Sequence, residues 1–263
     1  MIFLSGNVSY SIEGKTYPLK PYDIVLVKHG ELHRPVIHDQ TPYERIIVYI
    51  SPGFLQDYKT ETYDLGNCFI KSAVEHTSVF RLHAMENHPL FRAIKKFEAS
   101  FQSQAYAAEL EQKLLFLEFM IQLNRATLQH SLDYMHNEVS NPKVLQIIQY
   151  IQEHLTSDIS IDDIAKETFL SRYYMMRLFK TETGYTIHKY ITQKRLQLAK
   201  IMLADHIPVT QVCYDCGFKD YTSFLSVTLS FCSRVKPTKQ SSQIIAFSLS
   251  LYVILYPCQV NDS

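Results

Sequence analysis

The segment Ser160–Lys200, SIDDIAKETFLSRYYMMRLFKTETGYTIHKYITQKRLQLAK, decides how the rest of the chain is read. Ile161, Ile164 and Ala165 keep i, i+3, i+4 spacing and share one face of a first short helix. Asp162 and Asp163 fall in its opening turn, where the helix dipole favours negative charge. Ser171 stands where its hydroxyl can cap a second helix. On that helix Met175, Leu178 and Phe179 form an apolar stripe, and the remaining face carries Arg172, Tyr173, Met176, Arg177 and Lys180. A longer helix follows. An amphipathic helix with an apolar back and a basic front has the shape a major groove accepts.

Charge points the same way. Between Ser171 and Lys200 stand seven Lys or Arg against one acid, Glu182. The 263-residue chain has zero net charge, but residues 1–140 hold 13 basic and 16 acidic residues while 141–240 hold 13 and 9. A basic segment with interspersed aromatics is the footprint of a nucleic-acid partner. A solvated face on an ordinary helical pair has the same composition, and it is the coincidence of spacing, cap and cationic face that favours DNA.

At these residues a family resemblance becomes specific. IxxIA followed by FLSRYYMMRLFKTETGYTIHKYITQKRLQLAK resembles the first helix-turn-helix of AraC/XylS-type bacterial transcription regulators. The matching positions include Leu170, Ser171, Arg177, Leu178, Phe179, Lys180, Gly184, Tyr190, Arg195 and Ala199. The resemblance implies that Tyr173, Met176 and Arg177 face base edges, with Arg172 and Lys180 nearer phosphates. It also implies promoter DNA, a small-molecule effector (most often a sugar), a second copy of the chain and RNA polymerase as partners.

The unit occurs twice. Val209-x-x-Val212-Cys213 repeats Ile161-x-x-Ile164-Ala165 at an offset of 48, and after Gly217-Phe218 the offset becomes 49, matching Phe224 and Val227 to Met175 and Leu178. CGFKDYTSFL resembles the family's second helix-turn-helix, which makes Lys219, Tyr221 and Thr222 DNA-contact candidates. Beyond that the repeat fails: Ser226 stands for Arg177, Thr228 for Phe179, Leu229 for Lys180 and Ser233 for Gly184. The second unit is therefore expected to be incomplete. The 15-residue apolar run 244–258 is short of the roughly 20 residues of a membrane span. It is read as an aberrant tail, from a reading-frame change or a divergent end, in preference to a membrane anchor or a strand.

The first 80 residues read as β structure. Val8, Tyr10 and Ile12 alternate with Asn7, Ser9 and Ser11, Glu13-Gly14-Lys15 is a turn, and Thr16 to Leu19 begin the return strand. DIVLV (23–27) and RIIVYI (45–50) are continuous runs expected of buried strands. PYDIVLVKHGELHRP (21–35) resembles the second half of a cupin-like barrel, which in the family binds effector. Tyr10, Tyr17, His33 and Arg34 are pocket candidates by barrel position. His29, His33 and His38 fit a metal-dependent cupin poorly, because no earlier His supplies the other ligands, and neither metal nor cofactor is expected. Met1-Ile2-Phe3-Leu4 looks like the middle of a strand, so the barrel is expected to lack its first strands.

Between the halves the periodicity is helical. Leu90, Ile94, Phe97 and Phe101 form one seam; Leu110, Leu114, Leu117, Ile121 and Leu128 form another, suited to packing on the barrel or on a second copy. Residues 130–142 read as a linker ending in Asn141 as cap and Pro142 at the first helical position. Five cysteines at 68, 213, 216, 232 and 258 make no spaced framework, which with the absence of a leader-like start suggests a reducing cytoplasm. Cys213-x-x-Cys216 lacks a second ligand pair and reads as core. The expected architecture is α+β: a cupin-like domain over 1–80, a helical dimerisation segment over 81–135, a double helix-turn-helix over 141–235 and the tail over 236–263. No nucleophile with its base, and no acid–base pair, suggests an enzyme.

Overall fold

The computed structural model describes residues 1–28, 30–83, 87–135, 141–204, 207–233, 243–248 and 251–258. Its N-terminal half is built on two antiparallel sheets. The strands are β1 (Ile2–Ser5), β2 (Val8–Ile12), β3 (Lys15–Pro18), β4 (Ile24–Val25), β5 (His33–Ile37) and β6 (Tyr43–Ile50), followed after two short helices, α1 (Pro52–Asp57) and α2 (Asn67–Val74), by β7 (Val79–Leu82). After α3 (Pro89–Ser100) and α4 (Ala108–Leu128) comes β8 (Leu132–Tyr134). One sheet runs β3-β2-β5, and the other includes β8-β7-β4-β1-β6.

Strand alternation explains why the runs at 23–27 and 45–50 are apolar at nearly every position. Successive side chains point to opposite faces, and around β1, β4 and Ile46 both faces of the larger sheet are covered, whereas Tyr49 further along β6 is 53% exposed. Ile2, Ile24, Ile46 and Phe80 point to the helices, into a core with Leu90, Ile94, Phe97, Phe116, Phe119 and Leu123. Their neighbours Phe3, Val25 and Val79, with Tyr43, point the other way and meet Val8, Tyr10, Ile12 and Tyr17 of the smaller sheet. The two sheets thus form a sandwich over a shared core. The β2–β3 connection is a two-residue turn with positive φ at both Glu13 (48°) and Gly14 (77°), the twist that a tight hairpin requires.

Three sequence expectations change here. The division at residue 80 disappears, because α3 and α4 bury their apolar faces on the sheet and belong to one domain with it. The linker expected over 130–142 begins instead with β8, which pairs Leu132 with Leu82 on β7; residues 136–140 lie outside the described set. The apolar run at 244–258, expected as an aberrant tail, contains β9 (Gln243–Ser248) and β10 (Leu251–Cys258). β10 pairs antiparallel with the whole length of β6, from Leu251 opposite Ile50 to Cys258 opposite Tyr43. An open strand edge presents a row of N–H and C=O groups, and a strand-prone run such as Tyr252-Val253-Ile254 answers it. The rest of the tail, 234–242, 249–250 and 259–263, is outside the described residues.

The helical seams divide. Leu90, Ile94, Phe97 and Phe101 on α3 are all buried. Fully burying each such side chain is worth about 1.5–3 kcal/mol. On α4 the buried face is Phe116, Phe119, Met120, Leu123 and Ala126, while Leu110, Leu114, Ile121 and Leu128 are 58%, 58%, 40% and 71% exposed. One face of α4 holds the domain together and the other is left over.

Between residues 141 and 233 the described elements are all helical: α5 (Pro142–Glu153), α6 (Ile161–Thr168), α7 (Arg172–Thr183), α8 (Ile187–Ala204), α9 (Val209–Asp215) and α10 (Tyr221–Ser233). Asn141 caps α5 through a bond from the Lys143 amide, with Pro142 in the first turn. Val144, Ile147, Ile148 and Ile151 of α5 pack with Ile164, Met175, Phe179, Ile187 and Tyr190. A separate cluster joins Leu196 and Ala199 of α8 to Val212, Cys213, Cys216 and Phe224. Helix α8 therefore belongs to both cores and sets the spacing of the two helix pairs. No described helix is long and apolar enough to cross a membrane.

Candidate nucleic-acid interface

The first helix pair is built by strong local signals. Ser160 caps α6, accepting from the Asp163 amide at 3.1 Å, while its hydroxyl donates to the Asp163 carboxylate. These bonds hold the Asp163 carboxyl below the ordinary aspartate range. Phe169 closes the helix in the left-handed region at φ 55° and is 89% exposed in the turn. Ser171 occupies the cap position of α7 but makes no side-chain capping bond, contrary to the sequence expectation. Gly184, at φ 77°, ends α7.

The stripe and face expected on α7 are present. Met175 and Phe179 are fully buried and Leu178 partly so. Tyr173 and Met176 are 73% and 39% exposed, and Arg177 and Lys180 are exposed beside them. Tyr174, which sequence reasoning did not single out, is also exposed at 51%. Arg172 projects from the start of the helix and pairs with Asp162 at 3.2 Å, so part of its charge is already met. The basic count in 171–200 overstates the charge on the exposed face. Lys194 and Arg195 turn inward: Arg195 donates to the carbonyls of Leu155 and Ser157, tying α8 to the end of α5. Lys194 reaches the N-terminal domain.

The second pair forms with a different front. Asp220 caps α10 by accepting from the Ser223 amide at 2.7 Å, which lowers its carboxyl pKa. Among its described side chains Thr222, Ser223 and Ser226 are exposed, so hydroxyls stand where the first unit has Tyr173, Tyr174 and Arg177. Lys219 is exposed and pairs with Asp158 at 2.8 Å. Tyr221 is half-buried against Phe224. Thr228, at the place of Phe179, bonds the Phe224 carbonyl. Cys213 and Cys216 are buried and free, and burial pushes the Cys216 thiol up to about 11. That opposes the thiolate state which redox or zinc chemistry needs.

The candidate effector residues separate into two groups. Tyr10 and Tyr17 lie opposite each other in the β2–β3 register and are buried between the sheets. Desolvation raises both phenol pKa values, so both stay neutral. His33 stacks on Tyr10 with ring centres 5.9 Å apart. Arg34 does not join them. It lies opposite Ser11 on the other face of the strand pair, and its guanidinium donates to the carbonyls of Thr183 (3.2 Å) and Thr181 (3.4 Å) at the end of α7. His38 likewise faces away from His33, bonding Ser9 at 2.8 Å, so these two histidines do not converge on one ion. His29 lies outside the described residues.

Sequence reasoning missed Glu13. This turn residue accepts from Tyr190 Oη, from Lys194 Nζ at 2.7 Å and from the Leu32 amide at 2.5 Å. Lys194 also donates to the Gly30 carbonyl at 2.9 Å. The one early signal was a carboxylate at a hairpin tip, which usually means only a solvated turn.

Comparison with known proteins bears on most of the chain. Residues 1–149 match the family model described as AraC-like ligand binding domain, and residues 164–230 match one described as helix-turn-helix domain. Proteins named HTH-type transcriptional activator RhaS, from Escherichia coli (strain SMS-3-5 / SECEC) and Escherichia coli O1:K1 / APEC, are 25% identical over 255 residues. The alignment covers 84% of this chain and 88% of each relative. ToxT from Vibrio cholerae O395 is a structural neighbour at TM-score 0.34 and 12% identity, with 87% of each chain covered.

Proposed function

This chain belongs to the AraC-type transcription regulators, with a ligand-binding domain and a helix-turn-helix DNA-binding domain, and from that premise we propose how its residues divide the work. Helix α7 enters a major groove and reads bases with Tyr173, Met176 and Arg177, while Arg172 and Lys180 meet phosphates. The observation that carries this is the exposed Tyr173–Met176–Arg177–Lys180 face directly behind which Met175 and Phe179 are fully buried. An arginine fork matches the O6 and N7 acceptors of guanine, and an apolar tip suits a thymine methyl group. The second pair supplies Lys219, Tyr221 and Thr222, mostly to backbone and hydroxyl-scale contacts. A duplex found by selection from a randomised pool gives the test: fluorescence anisotropy should show affinity falling linearly on logarithmic axes with added salt, by about 0.9 per phosphate neutralised. A flat response would reject groove binding by this face.

The ligand is a small molecule held between the two sheets beside Tyr10, Tyr17 and His33; neutral phenols and an imidazole suit hydroxyl-bearing compounds such as sugars. The leftover face of α4 joins two copies through Leu110, Leu114, Ile121 and Leu128. Sedimentation of the Leu114→Glu variant should then show monomer where the parent protein shows dimer, and an unchanged mass would remove this contact. The named relatives are activators; carried over to this chain, that means a promoter-bound regulator that meets RNA polymerase in the cytoplasm, and in vitro transcription with purified polymerase reads it out.

A further inference from the structure

The three-stranded sheet has two occupied faces. Its inner face carries Tyr10 and Tyr17 into the sandwich core. Its hairpin tip and the strand β5 meet the first helix-turn-helix. There the Glu13 carboxylate holds Tyr190 and Lys194 of α8, and Arg34 holds the last carbonyls of α7. The contact is close-packed as well as polar. A Cβ on Gly14 would come within 3.0 Å of Ile148 and 3.2 Å of Val144, and one on Gly184 would sit 2.3 Å from Arg34. Leu32 packs against the core of the first helix pair. Side chains of Glu13 and Lys194 are only 16% and 13% exposed, so this ion pair is shielded from solvent. Among the described residues, the hydrogen bonds that cross between the domains end on α7 and α8.

The end of a helix leaves its last carbonyls without intrahelical partners. Arg34 supplies donors to two of them from another domain, and a cation there also suits the negative end of the helix dipole. Throughout this contact the reading face stays open, with Tyr173 and Met176 still exposed. The docked arrangement is therefore compatible with a groove occupied by α7.

We infer that Glu13 and Arg34 are positioning residues for DNA reading: through them the ligand-binding domain holds α7 and α8 at the angle at which the first unit recognises its sequence. This rests on the reading of α7 as the base-contacting helix. The strand that carries Tyr10 leads directly into the Glu13 turn, and the strand that carries His33 continues in Arg34, so a molecule seated between the sheets would bear on these contacts through one short piece of sheet. Loss of angle harms sequence recognition more than phosphate attraction, because base contacts need register whereas charge does not.

The test uses the full chain, a duplex selected from a randomised pool, and a scrambled duplex of equal length. Arg34→Ala and Glu13→Gln should each weaken binding to the selected duplex by about tenfold while leaving the scrambled duplex within about twofold. Lys194→Glu should cause a similar loss, and adding Glu13→Lys to it should recover most of that loss, which a merely damaged fold would not do. Far-ultraviolet dichroism checks that each variant folds, and Arg34→Ala serves if a Glu13 variant does not. Selected-duplex affinity within twofold of the parent in both Arg34→Ala and Glu13→Gln would overturn the inference while leaving DNA reading intact. A parent protein that does not distinguish the two duplexes would instead overturn the DNA-reading assignment itself, and this inference with it.

Discussion

The two helix-turn-helix pairs share one plan but are equipped differently. In the first, a cap at Ser160, a large aromatic core at Phe179 and Tyr190, and a face of aromatic and cationic side chains come together on α6, α7 and α8. In the second, Phe224 supplies the large buried ring among the described side chains of α10, Thr228 replaces Phe179, and Thr222, Ser223 and Ser226 form the front. Among the described residues, the N-terminal domain grips the first through the bonds described above. The lesson is that a repeated backbone pattern does not repeat its chemistry. Helix spacing depends on a few apolar positions, and base reading depends on what stands on the opposite face.

The largest expected difference is in the cores. Phe179→Ala should cost about 3–5 kcal/mol by lost transfer and cavity terms. Thr228→Ala removes one hydroxyl bond to the Phe224 carbonyl and should cost about 1 kcal/mol. Amide hydrogen exchange resolved along α7 and α10 would check this, and equal losses of protection in the two helices would erase the asymmetry. Next come the reading faces. Arg177→Ala should weaken binding to a selected duplex by about 1–3 kcal/mol while sparing the preference-free component. Ser226→Ala at the matching position should change affinity by less than about 0.5 kcal/mol. A large Ser226 effect in the anisotropy titration would mean that the second unit reads bases too.

The smallest effect concerns the caps and can be read with pH. Asp220 at α10 has its carboxyl pKa lowered in the folded state, chiefly by the Ser223 amide. A lowered folded value means that the charged cap stabilises the helix above the ordinary aspartate range and loses this contribution as pH falls through the lowered value. Below about pH 4, exchange in the first turn of α10 should therefore rise. The first turn of α7 should not follow it, because Ser171 makes no side-chain capping bond. Parallel responses in the two turns would contradict the assigned caps.

Much of this molecule could be seen in the order of its residues, for physical reasons that differ by region. Met175, Phe179 and Arg177 were legible because one helical turn brings positions three and four apart to the same side, whatever the surroundings. The apolar runs at 23–27 and 45–50 were legible as strands, but not the fact that helices cover one face of them. The α4 seam was legible as apolar, yet the domain core took the other side, Phe116, Phe119 and Leu123, because α4 carries apolar residues on two sides. The apolar run at 244–258 was not legible as strand, since a paired strand and a stray apolar run look alike until an open edge such as β6 is known.

What the residue order determined unaided is the set of short-range arrangements: two helix pairs, an exposed cationic face on α7, a tight Glu13-Gly14 hairpin and the alternation of the strands. The tertiary structure alone decided which faces were used and which distant groups met. Arg34 finds the Thr183 carbonyl across 149 positions, and Glu13 finds Lys194 across 181. No local period carries such a pairing. It exists because packed cores on both sides hold two polar groups where neither could be left buried without its partner.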